Sequence, residues 1–199
     1  MFQALRRFAH RPSAALPCDL CGQALASPHE HVIDPARRDL RCTCARCAVL
    51  MSTRAGTRWQ RVPWVLEPLG GPGLTDAQWD SLAIPVNVAF FYRSAAHDEM
   101  RAVYPSPAGG TESVLTGSAW ESLFAEHPAL NALAPDVEAF LVSRLGGARE
   151  HYRVSIDVGY ALIGVIRRHW RGFSGGAEVW DAIDHFFETL RGGSRRVHA

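Results

Sequence analysis

Hydrophobic and polar positions follow different rhythms in different parts of this chain. Between 178 and 191, Val179, Trp180, Ile183, Phe186, Phe187 and Leu190 recur at helical spacing, with Asp181, Asp184, His185 and Glu188 between them. That pattern predicts an amphipathic helix with one buried stripe. Residues 157–170 are apolar on nearly every side, through Val158, Tyr160, Leu162, Ile163, Val165 and Ile166, which predicts a buried helix. Gly172-Phe173-Ser174-Gly175-Gly176 separates the two. Upstream the rhythm belongs to strands. Residues 86–93 are rich in β-branched and aromatic side chains, 94–98 read as a turn, and 100–104 as its hairpin partner. Further strands are predicted over 111–115, 137–144 and 152–156, and a flexible polar loop over 105–110. Thr75-Asp76-Ala77-Gln78 and Ser118-Ala119-Trp120-Glu121 match the capping box, predicting helices that run to Leu82 and Glu126. Strands and helices mix without a βαβ alternation, so the predicted class is α+β, with antiparallel strands and two C-terminal helices.

The first third has little periodicity. Residues 2–10 read as a short helix or a mobile arm. Residues 17–54 read as two Cys turns around a hairpin near 30–42, followed by a helical turn over Ala48-Val49-Leu50-Met51. His29-Glu30-His31-Val32-Ile33-Asp34 has no helical period and reads as a solvent-facing strand. Residues 58–69 read as a strand leaving this unit, and Gly70-Gly71-Pro72-Gly73 is the strongest turn signal in the chain. The predicted organisation is an arm over 1–16, a Cys-rich unit over 17–69, an α+β domain over 74–191 and a loose tail over 192–199.

The chemistry is concentrated in the second of these. All 5 cysteines of the 199-residue chain lie between Cys18 and Cys47. Cys18-Asp19-Leu20-Cys21-Gly22 is a turn that points two sulfurs at one place, with a Gly free to take positive φ. Cys44-Ala45-Arg46-Cys47 supplies a second pair, and Cys18, Cys21, Cys44 and Cys47 together make the tetrahedral thiolate set of structural zinc. The module is therefore read as zinc-ribbon-like. Cys42 stands two residues before Cys44, on the same side of an extended segment, as an alternative ligand or a spare thiol. A single iron suits the same four sulfurs, an iron–sulfur cluster is a further alternative, and an odd cysteine count argues against disulfides. His29 and His31 lie between the pairs as additional candidate ligands.

Composition limits the rest. The chain is 47% hydrophobic, enough for a sizeable core, and its formal net charge is +1. The charge is uneven: residues 1–61 hold ten Arg against four acidic residues, and residues 62–199 eleven against sixteen. The near-neutral total and the acidic second part argue against nucleic acid as a partner. Every one of the 21 basic residues is Arg, a usage expected of a GC-biased genome. The most apolar run, Val158–Ile166, falls well short of the roughly 20 residues that span a bilayer. The N-terminal residues lack a signal-type apolar segment, and cytoplasmic placement is expected.

No phosphate-binding loop, nucleophile elbow or His-Glu-x-x-His motif is present. Three looser groupings remain. Asp181, Asp184 and His185 share a helix face, which reads first as solvated surface. Glu150-His151 and Asp157 flank a strand, placed to approach one another in the fold, although an ordinary surface pair is the simpler reading. Arg171 to Gly176 precedes a helix and offers backbone N–H groups to an anion, although an interhelical turn is the simpler reading. Trp120, Trp170 and Trp180 read as core or core-rim residues.

Several stretches together resemble an uncharacterised bacterial family of unknown function. They are the two cysteine clusters; Ile84-Pro85-Val86 running into Ala89-Phe90-Phe91-Tyr92-Arg93-Ser94; Tyr104-Pro105-Ser106-Pro107; Thr111-Glu112-Ser113; and His169-Trp170-Arg171-Gly172 with Gly175, Gly176 and Trp180. Genes of that family are typically found beside nickel–iron hydrogenase structural and maturation genes. The resemblance covers residues 18–190 and carries no catalytic residue. It implies a non-enzymatic, metal-binding accessory role in hydrogenase assembly, exercised through protein contacts with a hydrogenase subunit or maturation factor. A rubredoxin-like iron electron carrier is the alternative, and a zinc-ribbon nucleic-acid binder a third reading.

Overall fold

The computed structural model describes residues 16–70, 73–115, 120, 125, 127–147, 149–172 and 175–193. The expectations for residues 2–10, for most of the helix opening at Ser118, and for the end of the tail lie outside these residues. The chain is α+β, with two antiparallel sheets among the described residues. In the smaller sheet, β1 (Glu30–Asp34) pairs with β2 (Asp39–Thr43) on one side and β3 (Gln60–Arg61) on the other. Helix α1 (Ala45–Thr53) lies between β2 and β3 in sequence. The larger sheet is built from β4 (Leu66–Pro68), β5 (Val88–Ser94), β6 (Glu99–Ser106), β7 (Gly109–Leu115), β8 (Glu138–Ser143) and β9 (Glu150–Ser155). Its order is β4-β9-β8-β5-β6-β7. A short helix α2 (Asp76–Ser81) follows β4, and α3 (Ile156–His169) and α4 (Ala177–Arg191) are the last two elements among the described residues.

The larger sheet is covered on both faces, which is why its central strands read as unbroken apolar runs rather than as an alternation. On one face Val88, Phe90, Tyr92, Leu141, Tyr152 and Val154 pack beneath the apolar stripes of α3 and α4. On the other, Ala89, Phe91, Met100, Phe140 and Val142 pack with Leu74, Trp79, Trp120 and Leu130. Phe90 and Phe91, neighbours in sequence, are both fully buried on opposite sides. Truncating either would cost about 3–5 kcal/mol. Helix α2 starts as its sequence predicts. Gln78 N–H donates to Thr75 Oγ1 at 3.2 Å and Thr75 N–H donates to Gln78 Oε1 at 2.8 Å, closing the capping box.

Four expectations are corrected. The strand over 30–34 is the middle strand of its sheet, with Val32, Ile33 and Asp34 buried. Ile33 joins the main core, and the Asp34 carboxylate pairs with Arg58 at 2.5 Å; a buried acid read as exposed because its partner comes from outside the strand. Residues 105–110 are not a flexible loop. Ser106 and Gly109 pair across a tight turn, and Gly109 (φ 104°) and Gly110 leave no room for a Cβ against Arg167 and Ile163 of α3. The segment 58–69 is two short strands in different sheets: β3 belongs to the smaller sheet and β4 pairs with β9. The chain therefore crosses between sheets at Val62–Val65, before the Gly-rich stretch. The crossing is pinned at both ends, since Val62 N–H donates to the His31 carbonyl at 3.0 Å and Ser155 N–H to the Val65 carbonyl at 2.9 Å. Finally, His151 and Asp157 do not approach one another. The His151 ring points into the face holding Leu74 and Phe140, while Asp157 turns to the smaller sheet.

Candidate metal centre

The hairpin of β1 and β2 brings together what the sequence separates. Before it, Cys18 to Gly22 closes a tight turn. Gly22 N–H donates to the Cys18 carbonyl at 2.8 Å, and Gly22 takes φ 74°, a conformation open to Gly without strain. After it, Cys44 is the N-cap of α1 and Cys47 lies in the first helical turn. The second pair thus sits on a helix start and not on a second ribbon-like knuckle, a difference from the symmetrical arrangement that the spacing suggests. The helix supplies what a thiolate needs: first-turn N–H groups without intrahelical partners and the positive end of the helix dipole.

The two halves are docked by the backbone of Cys42. Asp19 N–H donates to the Cys42 carbonyl at 2.9 Å, and Cys42 N–H donates to the Asp19 carboxylate at 2.7 Å. Cys44 N–H points to the Cys18 sulfur at 3.4 Å. As a result the sulfurs of Cys18, Cys21, Cys44 and Cys47 all lie within 4.8 Å of one another, with Cys21 and Cys44 at 3.9 Å. Four sulfurs placed tetrahedrally at the zinc–thiolate distance stand about 3.8 Å apart. A disulfide needs about 2 Å, and all five cysteines are free thiols. The donor set therefore fits one tetrahedral ion with soft ligands, and Cys18 is buried beneath it.

The thiols are unequal in proton affinity. Burial pushes the Cys18 thiol up, but the Cys44, Leu20 and Cys21 amides and the Cys21 thiol together outweigh it and hold it at about 6. The thiol hydrogen bond shared with Cys44, together with burial and the neighbouring sulfurs, pushes Cys47 up to about 12. Crowded sulfurs share negative charge poorly, and a divalent cation at their centre removes that conflict by displacing protons.

Cys42 takes no part in this set. It lies directly across the hairpin from His31, and with His29 and His31 it forms a second group whose donor atoms all fall within 4.8 Å. The two imidazole rings stand 4.7 Å apart. Burial lowers the proton affinity of His31, but the Asp157 carboxylate and the Cys42 sulfur outweigh it and raise His31 to about 9. His31 Nδ1 lies 2.9 Å from Asp157 Oδ2, in the first turn of α3. This grouping was not singled out from the sequence. Its signals were the nearness of His29 and His31 in sequence, at the entry to a strand, and a turn at 35–38 that brings residue 42 opposite 31.

The other candidates stay apart from these centres. Asp181, Asp184 and His185 are exposed on α4, where His185 lies 3.4 Å from Glu188. Arg171 and Gly175 form a bridge that closes an interhelical turn, with 173 and 174 outside the described residues. Trp120 is buried, and Trp170 and Trp180 pack on each other at the core rim, 6.3 Å between ring centres. No helix among the described residues is long and apolar enough to cross a membrane.

A family model described as a family of unknown function (DUF5947) matches residues 17–194, from the first Cys turn through α4. No curated protein and no solved structure gives a match.

Proposed function

Since this chain belongs to the family of unknown function DUF5947, its role has to be argued from its own residues, and we propose that it is a non-enzymatic accessory protein built around a structural zinc site. The observation that carries this reading is the closure of the site: four thiolates fill a tetrahedral ion's positions and leave none for a substrate. Zinc held this way contributes folding free energy and fixes the surface around it.

That surface supports a role through protein contacts. Leu16, Leu20, Val49, Leu50 and Trp64, all in or next to the Cys-rich unit, are exposed, with Leu50 at 68%. Exposed aliphatic and aromatic side chains gathered on one small unit are what a docking partner covers. With the resemblance to proteins encoded beside nickel–iron hydrogenases, the partner proposed is a hydrogenase subunit or maturation factor, in its assembly. The basic excess of the N-terminal third speaks less for nucleic acid than its count suggests, because Arg37, Arg38, Arg41, Arg58 and Arg61 each pair with a carboxylate.

The test is co-purification of the zinc-loaded chain with hydrogenase components, alongside a Leu50→Glu variant of equal zinc content. Association that the variant weakens at least tenfold is expected. A folded, zinc-loaded chain that associates with none of those components overturns the partner assignment. One observation favours a second reading: Cys21 is exposed, and a single iron at this site would have a surface ligand through which to pass electrons. Visible thiolate-to-iron absorption separates the two readings.

A further inference from the structure

We propose that His29, His31 and Cys42 form a second metal site, independent of the four-cysteine site, that holds a divalent ion of the zinc class with three protein ligands and one open position. The donors come together by construction: His29 immediately precedes β1 with its ring 4.7 Å from that of His31 on the strand, and Cys42 faces residue 31 from β2. All three donor atoms lie within 4.8 Å of one another, and small side-chain rotations bring them to the spacing of about 3.3–3.7 Å that ligands of one zinc ion keep. Two imidazoles and a thiolate form a borderline-soft set suited to zinc, cobalt, nickel or copper, and unsuited to magnesium or calcium.

The strongest support is outside the ligands. Asp157 occupies the Nδ1 side of His31 at 2.9 Å, leaving Nε2 as the nitrogen to bind. A carboxylate holding the far nitrogen of a ligand histidine fixes its tautomer and its orientation, and is the usual companion of an imidazole on zinc. Here that carboxylate comes from α3, so the site lies where the smaller sheet meets the larger domain. The hairpin gives the two centres different ligands: Cys44 turns into the helix start, and Cys42 stays on the strand. Three protein ligands leave a fourth position to water or to a donor atom from another molecule. An ion held this way exchanges faster than one enclosed by four thiolates.

The experiment is a titration of the full chain with Zn2+ alone, and in parallel with Co2+, reading metal per chain and the cobalt absorption spectrum. The wild-type chain is expected to take two equivalents, the second removed first by a competing chelator. His29→Ala and Cys42→Ser should each take one and keep the four-thiolate cobalt spectrum. Asp157→Asn should keep both sites while weakening the second about 10–100-fold. Saturation of the wild-type chain at one equivalent overturns the proposal, as does a second equivalent unchanged in both His29→Ala and Cys42→Ser. Cys21→Ser is the separate control: it removes the four-thiolate ion, and its outcome bears on the structural-zinc reading and not on this one.

Discussion

His31 Nδ1 and Asp157 Oδ2, 2.9 Å apart, join the middle strand of the smaller sheet to the first turn of α3. The two residues are 126 positions apart in a chain of 199, and both are largely shielded, with side-chain exposures of 20% and 12%. A hydrogen bond to a charged group in such a setting contributes about 1.5–3 kcal/mol. Asp157→Ala, compared with wild type by denaturant unfolding of the metal-free chain, should lose stability in that range. A change within 0.5 kcal/mol, on the order of an ordinary surface substitution, would show that the contact does not hold the smaller sheet to α3.

Gly73 takes φ 63°, and a Cβ there would overlap the His151 ring. That ring is not free to move: its Nε2 accepts the Leu74 N–H at 3.1 Å and it stacks on Phe140 at 5.7 Å. Gly73→Ala should therefore cost about 2–4 kcal/mol, the sum of overpacking and an unfavourable backbone conformation. Gly56, also at positive φ but with open space around its Cβ position, is the comparison, and Gly56→Ala should cost about 1 kcal/mol. Equal losses at the two positions would contradict the packing argument.

His151 also sets a pH dependence. Burial holds its proton affinity down to about 4, helped by the nearby positive groups His127, Arg144 and Arg149. Above the ordinary histidine pKa of about 6.5 the ring is neutral both folded and unfolded, and contributes nothing to the slope. Between about 6.5 and 4 the unfolded chain takes up a proton that the folded chain refuses, so stability falls as pH falls. The loss by pH 4 is on the order of 2–3 kcal/mol. Unfolding measured from pH 7 to pH 4 in wild type and His151→Gln should show that part of the slope disappear in the variant. Parallel curves would mean that the ring is protonated in the fold.

Removing the four-thiolate ion should loosen one part of the molecule more than the rest. The Cys turn and the start of α1 are held to β2 by few hydrogen bonds, those between Asp19 and Cys42 among them, whereas β5 and β8 are buried on both faces. Hydrogen exchange after chelation should rise over 16–25 and 42–53 by at least tenfold and stay near its original value over 88–94 and 138–143. Uniform exposure would mean that the metal supports the whole core.

Much of this architecture was legible along the chain, because the elements in question depend on their own residues. The stripe Val179-Ile183-Phe186-Leu190 packs as its spacing predicts, and the Thr75–Gln78 box opens α2. What was misread depends on distant residues. Asp34 pairs with nearby Arg37 at 3.6 Å, but its closer partner, Arg58 at 2.5 Å, comes from 24 residues on. The 58–69 segment reads as one strand because nothing in it signals that its halves serve different sheets. At the metal centre the four sulfurs followed from spacing, but spacing left Cys42 ambiguous. The pairing of His31 with Cys42 across the hairpin, and an acid from α3, separate it from the other four.

The most direct test of the structural-site reading is metal content with zinc-edge X-ray absorption on the Cys42→Ser variant, purified without oxygen or chelator. This variant retains Cys18, Cys21, Cys44 and Cys47 while the other centre is disabled. The account predicts one zinc per chain, with four sulfur neighbours at about 2.3 Å and no nitrogen. Iron in its place with visible absorption, or a folded chain whose metal has fewer than four sulfur neighbours, would contradict it.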